Sequence, residues 1–439
     1  MKKLQVMYNG WGEHWVLGTL VDTTRDTTRE TTRGTSPGVF FEYSPQAIAR
    51  GLQMSPMHQP LPRPGAVTAL YQGEPHFYGL PGFIADALPD GWGMLLMDRA
   101  LRKLGREPRS VSVLERLAIV GSRAMGALSF EPSDEDLLPA EKLHLKDLAK
   151  EVMALQTDRD FDSQDVDVQL RHLMQLGGSP QGARPKVLVD FNARTSFISS
   201  GMPLVGSATP WLMKFPAQAE HREVCAIEEL YARVARHGGI DMPRSRFFDL
   251  DNKHASFGVE RFDRTVKTVG KIKHINRVPI MSLSAYLEAD HRMPSLDYET
   301  VLLATQRITG DQREVLKAFE RCVFNVLMHN QDDHSRNFAF RLDQQGFWKL
   351  SPAFDLTYSF GPGGEHSTSV AGHGKNITRA HLLCVAAAVG IHTKIAELCI
   401  VNWIKTVLSM GKLVRELPLR RPTLSELLTS AAARIELLK

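Results

Sequence analysis

Apolar and polar positions alternate through Gln5-Val6-Met7-Tyr8 and again through Trp15-Val16-Leu17-Gly18-Thr19-Leu20, on either side of a Gly-containing turn. A period of two flanking a turn predicts a β-hairpin. The stretch 23–33 then repeats Thr-Thr-Arg every four residues. It offers no apolar face to a core, so an expanded hairpin loop is expected there. Val39-Phe40-Phe41-Glu42-Tyr43 resumes the strand pattern, and Pro60 to Pro64 is a turn-rich connection.

From Phe83 to Leu104 the spacing becomes helical, with Asp90-Gly91-Trp92-Gly93 as an interruption, and helices are expected to about Gly126. The acidic, Pro-containing run from Glu131 to Pro139 marks a domain boundary near 140. Lys142 to Leu176 reads as helix, while Lys186 to Phe191 and Trp211 to Pro216 read as strands. Glu223 to His237 is amphipathic and stops at Gly238-Gly239, as a helix should. Ser245 to Leu250 and Ala255 to Phe262 are two more strands. Beyond a second boundary near 264 the chain is expected to be mostly helical, notably over Tyr298 to Ile308, Asp311 to His329 and Ile377 to Lys439. A short strand pair, Asn337 to Leu342 and Phe347 to Leu350, interrupts it. The order is that of an α+β chain: an N-terminal subdomain (1–140), a β-rich lobe (141–264) and a larger helical lobe (265–439).

Composition narrows the class but not the activity. The 439 residues exceed the roughly 100–200 of one domain, in keeping with three segments. Hydrophobic residues at 43% and charged residues at 23% are ordinary for a globular protein. A net charge of +4 is too small to argue for nucleic acid. The four cysteines have neither C-x-x-C nor zinc spacing, so they read as buried thiols of a reducing compartment. The first residues lack the apolar run of a signal peptide, and the longest apolar stretch, Leu382 to Ile391, is too short to span a bilayer. A cytoplasmic protein with no membrane partner is expected.

The densest polar cluster is His329-Asn330-Gln331-Asp332-Asp333-His334-Ser335-Arg336-Asn337, directly after a predicted helix. A helix cap with a polar turn would account for part of it. Two chemical readings stand beside that one. Phosphoryl transfer needs a base Asp and a metal-binding Asn in the pattern D-x-x-x-x-N, then a second metal-binding Asp. Asp332 and Asn337 have that separation, and Pro352-Ala353-Phe354-Asp355 supplies the second Asp after a short hairpin. Asn337 and Asp355 would be hard oxygen ligands of the kind Mg²⁺ selects. Alternatively, His329, Asp332, Asp333 and His334 are ligand types for a zinc or iron hydrolase, although no distant His pair completes such a shell.

A kinase also needs a phosphate cradle and a lysine. Gly177-Gly178-Ser179-Pro180-Gln181-Gly182-Ala183-Arg184-Pro185-Lys186 leads into an apolar strand, where glycines let backbone N–H groups approach phosphates. It is neither a Walker loop nor G-x-G-x-x-G, and a plain turn would look similar. Lys214 sits inside the apolar strand Trp211 to Phe215, where a charge is costly unless paired. A strand lysine that neutralises phosphate and pairs with a helix glutamate is the kinase arrangement, and Glu228 is the candidate partner. The other reading is an edge lysine that snorkels to water.

Together these segments resemble the HipA family of toxin kinases. Ser179 to Lys186 is similar to that family's Ser-x-x-Gly-Ala/Val-x-x-Lys loop, and Trp211-Leu212-Met213-Lys214-Phe215-Pro216 to its lysine strand. Val259-Glu260-Arg261-Phe262-Asp263-Arg264 resembles its adenine-contacting hinge. The segments around Asp332 to Phe338 and Ser351 to Leu356 resemble its catalytic and metal segments, and Leu80 to Trp92 its N-terminal subdomain. Two positions depart from the pattern. Asp333 stands where glycine is frequent, adding negative charge beside the base, and Arg336 stands where lysine is frequent, keeping the charge.

The resemblance implies a bilobal protein-kinase-like fold with Asp332 as catalytic base and Asn337 and Asp355 on Mg²⁺. It implies ATP held by Gln181, Gly182, Ala183, Arg184, Pro185, Lys186, Lys214, Glu260, Arg261, Phe262, His334 and Arg336, with inhibitory autophosphorylation of Ser179. It further implies a HipB-like helix-turn-helix antitoxin, operator DNA reached through that complex, and a protein substrate of translation such as glutamyl-tRNA synthetase. A small-molecule kinase and a DNA-bound corepressor with little catalysis are the other functions compatible with the chain.

Overall fold

The computed structural model describes residues 1–23, 38–63, 70–133, 142–157, 182–199, 208–269 and 272–439. The chain is mixed α+β and divides into two compact units. The first contains Met1–Gln218, Asp263–Met281 and Ala285–Glu288; the second contains Ala219–Phe262, Ser282–Ser284 and Ala289–Lys439.

In the first unit the expected hairpin forms from β1 (Lys3–Tyr8) and β2 (Trp15–Asp22), antiparallel with Leu4 opposite Leu20. β3 (Val39–Tyr43) adds to β2, and β4 (Leu128–Glu131) adds to the far side of β1. Alternation buries Leu4, Val6, Leu20, Phe41 and Tyr43, and a register shift opposite Val6 and Met7 leaves Leu17 unpaired and buried as well. Most of the Thr-Thr-Arg repeat lies outside the described residues.

The interruption at Asp90-Gly91 proves to be a helix start. α1 runs over Gly91–Lys103, and α2 (Val113–Val120) begins with a capping box between Ser112 and Glu115. Lys142–His144 forms a strand, β5, where helix was expected, because it pairs with β7 (Phe197–Ser199). α3 (Leu145–Thr157) follows, and residues 158–176 of the expected helix lie outside the described residues. β6 (Lys186–Phe191) lies between β7 and β8 (Thr209–Lys214), antiparallel to both. Arg264–Val269 and Ile272–Arg277 pair as a hairpin where mostly helix was expected.

The second unit opens with α4 (Val224–His237), which ends at Gly238 and at Gly239, whose φ is +96°. β9 (Ser245–Asp249) and β10 (Ala255–Glu260) are antiparallel. α5 (Tyr298–Thr309) and α6 (Gln312–Leu327) are each capped by an aspartate, Asp297 and Asp311, whose side chain accepts a first-turn N–H. On α6, Val315, Ala318, Phe319, Cys322 and Val326 recur at helical spacing and are buried. β11 (Ala339–Leu342) and β12 (Trp348–Leu350) form the short hairpin, preceded by a 3₁₀ turn over Ser335–Asn337. α7 (Arg379–Ala388), α8 (Thr393–Leu408) and α9 (Arg421–Leu438) complete the unit. No helix among the described residues is long and apolar enough to cross a membrane.

Candidate active site

α6 delivers the chain into the loop Met328 to Asn337, and the loop reverses at His329, whose φ is +52°. That loop is held by the segment after Asp355. Ser359 N–H donates to the His329 carbonyl at 3.2 Å, and the Ser359 carbonyl accepts Gln331 N–H at 3.2 Å. Ser359 Oγ accepts Asp332 N–H at 3.1 Å and donates to Asn330 Oδ1 at 3.0 Å. Asp332 is thus fixed by its backbone while its side chain stays 54% exposed. Asn337 Nδ2 donates to the Asp332 carbonyl at 2.6 Å, which leaves Oδ1 as the acceptor end of that amide. Asn337, Asp333 and Asp355 line one small pocket with Asn325, Asn330 and Phe354. Asp355 takes a φ of +56°, uncommon for a residue with a Cβ and a mark of functional sites.

Asp333, next to the proposed base, is held in a buried hydrogen-bond network. Its side chain is fully buried, and its carboxylate accepts from the Tyr298 hydroxyl at 2.8 Å and from Thr368 N–H at 3.2 Å. His366 Nδ1 lies 2.8 Å from the same oxygen that Tyr298 serves, which sets the proton on that nitrogen. Asn325 Nδ2 donates to Tyr298 Oη at 2.8 Å, and Asn330 Nδ2 donates to Asn325 Oδ1 at 2.9 Å. Burial and the neighbouring Asp333 raise the Tyr298 hydroxyl well above its usual range, so it stays a donor. Sequence reasoning missed Tyr298, Asn325 and His366; a buried asparagine inside the apolar face of α6 was the available signal.

His334 Nε2 is 3.6 Å from Asp332 Oδ1, and its Nδ1 is buried without a hydrogen-bond partner. Arg336 is half-buried in the 3₁₀ turn. Glu260 N–H donates to the Arg244 carbonyl at 2.9 Å, and its carboxylate takes the Arg244 guanidinium. Arg261 follows it, half-buried. The Phe262 ring packs 5.4 Å from that of Phe354, which couples the proposed hinge to the residue before Asp355. Glu228 is buried on α4.

In the first unit, Lys186 and Lys214 are direct cross-strand partners on β6 and β8, only 4% and 6% exposed. Two ammonium groups on one buried face need anionic compensation. Gly182 has a φ of +111°, and a Cβ built there would strike Lys186 Nζ. Gly182 N–H donates to Asp90 Oδ1, and its carbonyl accepts Trp92 N–H at 3.1 Å. Gly91, with φ +41°, is equally forced, since a Cβ there would meet the Gly182 carbonyl. Asp90-Gly91-Trp92 therefore clamps the loop, a role the sequence did not reveal. Ala183 is exposed, Arg184 half-buried, and the carbonyl of buried Pro185 accepts Phe215 N–H at 2.9 Å. Ser179 and Gln181 lie outside the described residues. Lys214 and Glu228 belong to different units.

Each unit's donors fit one part of Mg-ATP. In the second unit, Asn337 Oδ1 and the Asp355 carboxylate are hard oxygen donors lining one pocket, as Mg²⁺ selects; in the first, the missing Cβ of Gly182 leaves room for Lys186 Nζ, a cation suited to phosphate. The alternative shell does not converge. His329 Nδ1 accepts from Arg434 at 2.8 Å, and Asp333 is taken by Tyr298, His366 and Thr368. Among the described residues, no group of three or more His, Cys, Asp or Glu side chains is arranged to hold a metal.

Residues 178–410 match the HipA-like C-terminal domain, and residues 27–131 match the HipA N-terminal domain. A Sinorhizobium fredii protein named "Putative kinase Y4dM" is 27% identical over 168 residues, which is 35% of this chain and 39% of that protein. A Haemophilus influenzae protein named "Putative kinase" is 25% identical over 189 residues, 42% of this chain and 53% of that protein. The match thus spans about half or less of each relative's length. A chain from the Shewanella oneidensis MR-1 toxin–antitoxin complex of HipA, HipB and operator DNA superposes with a TM-score of 0.70 at 14% identity. That superposition covers 99% of this chain and 97% of the other, a likeness of fold.

Proposed function

This chain belongs to the HipA family, and from that premise we propose that it is a Mg²⁺-dependent kinase transferring phosphate from ATP to serine or threonine hydroxyls of a protein. The observation that carries the reading is the 2.6 Å bond from Asn337 to the Asp332 carbonyl, with Asp355 lining the same pocket as Asn337. It is the D-x-x-x-x-N arrangement with its second aspartate. The Asp332 carboxylate, exposed at the loop tip, accepts the proton of the acceptor hydroxyl. Asn337 Oδ1 and Asp355 hold the ion. Lys186 and Lys214 offset phosphate charge, and Glu228 keeps the lysine-pairing role the sequence assigns it. Gln181, Gly182, Ala183, Arg184 and Pro185 form the cradle, and Glu260, Arg261 and Phe262 receive the adenine, with His334 and Arg336 toward the phosphates. Bound Mg-ATP supplies the phosphoryl group and a compensating divalent charge.

In this proposal Ser179 is the site of autophosphorylation. A phosphoserine there would compete with ATP for cradle donors and switch the enzyme off. The partner is a small helix-turn-helix antitoxin like HipB, operator DNA is reached through it, and the substrate is a translation-related protein such as glutamyl-tRNA synthetase. Likeness of fold to a chain of the HipA–HipB–operator complex supports the partner assignment.

Calorimetric titration with Mg-ATP tests the site. Asp355→Ala should weaken binding about tenfold or more, equivalent to about 1.4 kcal/mol. Asp332→Asn should bind like wild type, because the base does not hold the nucleotide. A wild-type chain that binds ATP equally well with and without Mg²⁺ would remove the metal assignment.

A further inference from the structure

Gln331, His366, Lys375, Asn376, Arg434 and Leu437 are among the residues that line a second pocket in the second unit. Every ionisable residue among those lining it is basic. We propose that this pocket binds a compact oxyanion, the phosphate or carboxylate group of a small ion or of a protein side chain.

Three observations carry the assignment. The Arg434 guanidinium hydrogen-bonds to His329 Nδ1 at 2.8 Å, and the described residues offer it no carboxylate at ion-pair distance. Burial and Arg434 together hold the His329 imidazole down, near pKa 4, so the partner is a neutral acceptor and the positive charge of Arg434 remains unbalanced. Guanidinium groups in that position recognise planar or tetrahedral oxyanions. Lys375 has one carboxylate competitor, Glu365, at 2.9 Å, and both side chains are about half exposed. Such a surface pair is weak and yields readily to a ligand. Gln331 and Asn376 add amide groups, and the Gln331 amide is fixed, donating to the Gly364 carbonyl and accepting Gly361 N–H, each at 3.1 Å.

The pocket also borders the catalytic loop on two sides. Gln331 precedes Asp332, and His366 holds the carboxylate of Asp333. A bound anion steadies both neighbours of Asp332. This last consequence rests on the kinase reading, whereas the binding site does not.

Titration of inorganic phosphate into the full chain tests the proposal, with and without a saturating non-hydrolysable ATP analogue and Mg²⁺. One phosphate event should persist when the analogue is bound. Lys375→Ala and Arg434→Gln should each weaken it about tenfold, the usual loss of a charged hydrogen bond, and Glu365→Gln should tighten it. Lys375 and Glu365 are surface residues, so their variants remain readable if Arg434→Gln folds poorly. Short peptides bearing aspartate or phosphoserine, compared with acetate and phosphate, identify the source of the anion by which set binds more tightly. Phosphate binding that is absent, or unchanged in the Lys375 and Glu365 variants, would overturn the site. Failure of the analogue to bind would instead count against the kinase reading and leave the phosphate result intact.

Discussion

At the scale of single residues, buried polar groups set the loop. Asp333 satisfies Tyr298, Thr368 and His366 at once, so truncating it strands three donors in the interior. Asp333→Ala should cost about 3 kcal/mol in urea unfolding, and Asp333→Asn less. A loss under about 0.5 kcal/mol, the range of surface changes, would contradict the network. His329 makes a pH prediction. Its folded pKa, about 4, lies below the usual 6.5, so the unfolded chain binds more protons between those values. Stability contributed by neutral His329 is present above pH 6.5 and is lost as pH falls toward 4. His329→Asn, chosen because asparagine tolerates positive φ, should flatten the stability slope over that window. Equal slopes in the two proteins would show that His329 does not titrate this way. Asp332, Asn337 and Asp355 were legible because their pattern is local. Tyr298 and His366 were not, because they reach Asp333 across 35 and 33 positions.

At the scale of elements, local periodicity carried most strands and helices, and its failures have physical causes. Thr265-Val266-Lys267-Thr268-Val269 is rich in the β-branched residues that favour strands, but it lacks the period-two alternation that marks a half-buried strand. Lys142–His144 is a strand only because Phe197–Ser199 pairs with it. The clamp on the Gly182 turn joins residues 92 positions apart, beyond any local pattern. Asp90→Ala removes the acceptor for Gly182 N–H. Hydrogen exchange over 182–186 should accelerate and ATP affinity should fall, with little change in the exchange of β1 and β2. Unchanged exchange at Gly182 would mean that Asp90 does not hold the turn.

At the scale of the whole molecule, the two family segments together span 27–131 and 178–410, the parts in which the sequence showed its motifs. The α+β class followed from the order of strand-rich and helix-rich stretches. The membership of hairpin 264–277 in the first unit did not, since tertiary contacts decide it. The central claim concerns chemistry at Asp332. Incubation with γ-labelled ATP and Mg²⁺, followed by mass spectrometry of the chain itself, tests it most directly. The account predicts label on a serine or threonine hydroxyl, Ser179 foremost, in the wild type, and none in Asp332→Asn, which still binds Mg-ATP. Equal label in both proteins would contradict it.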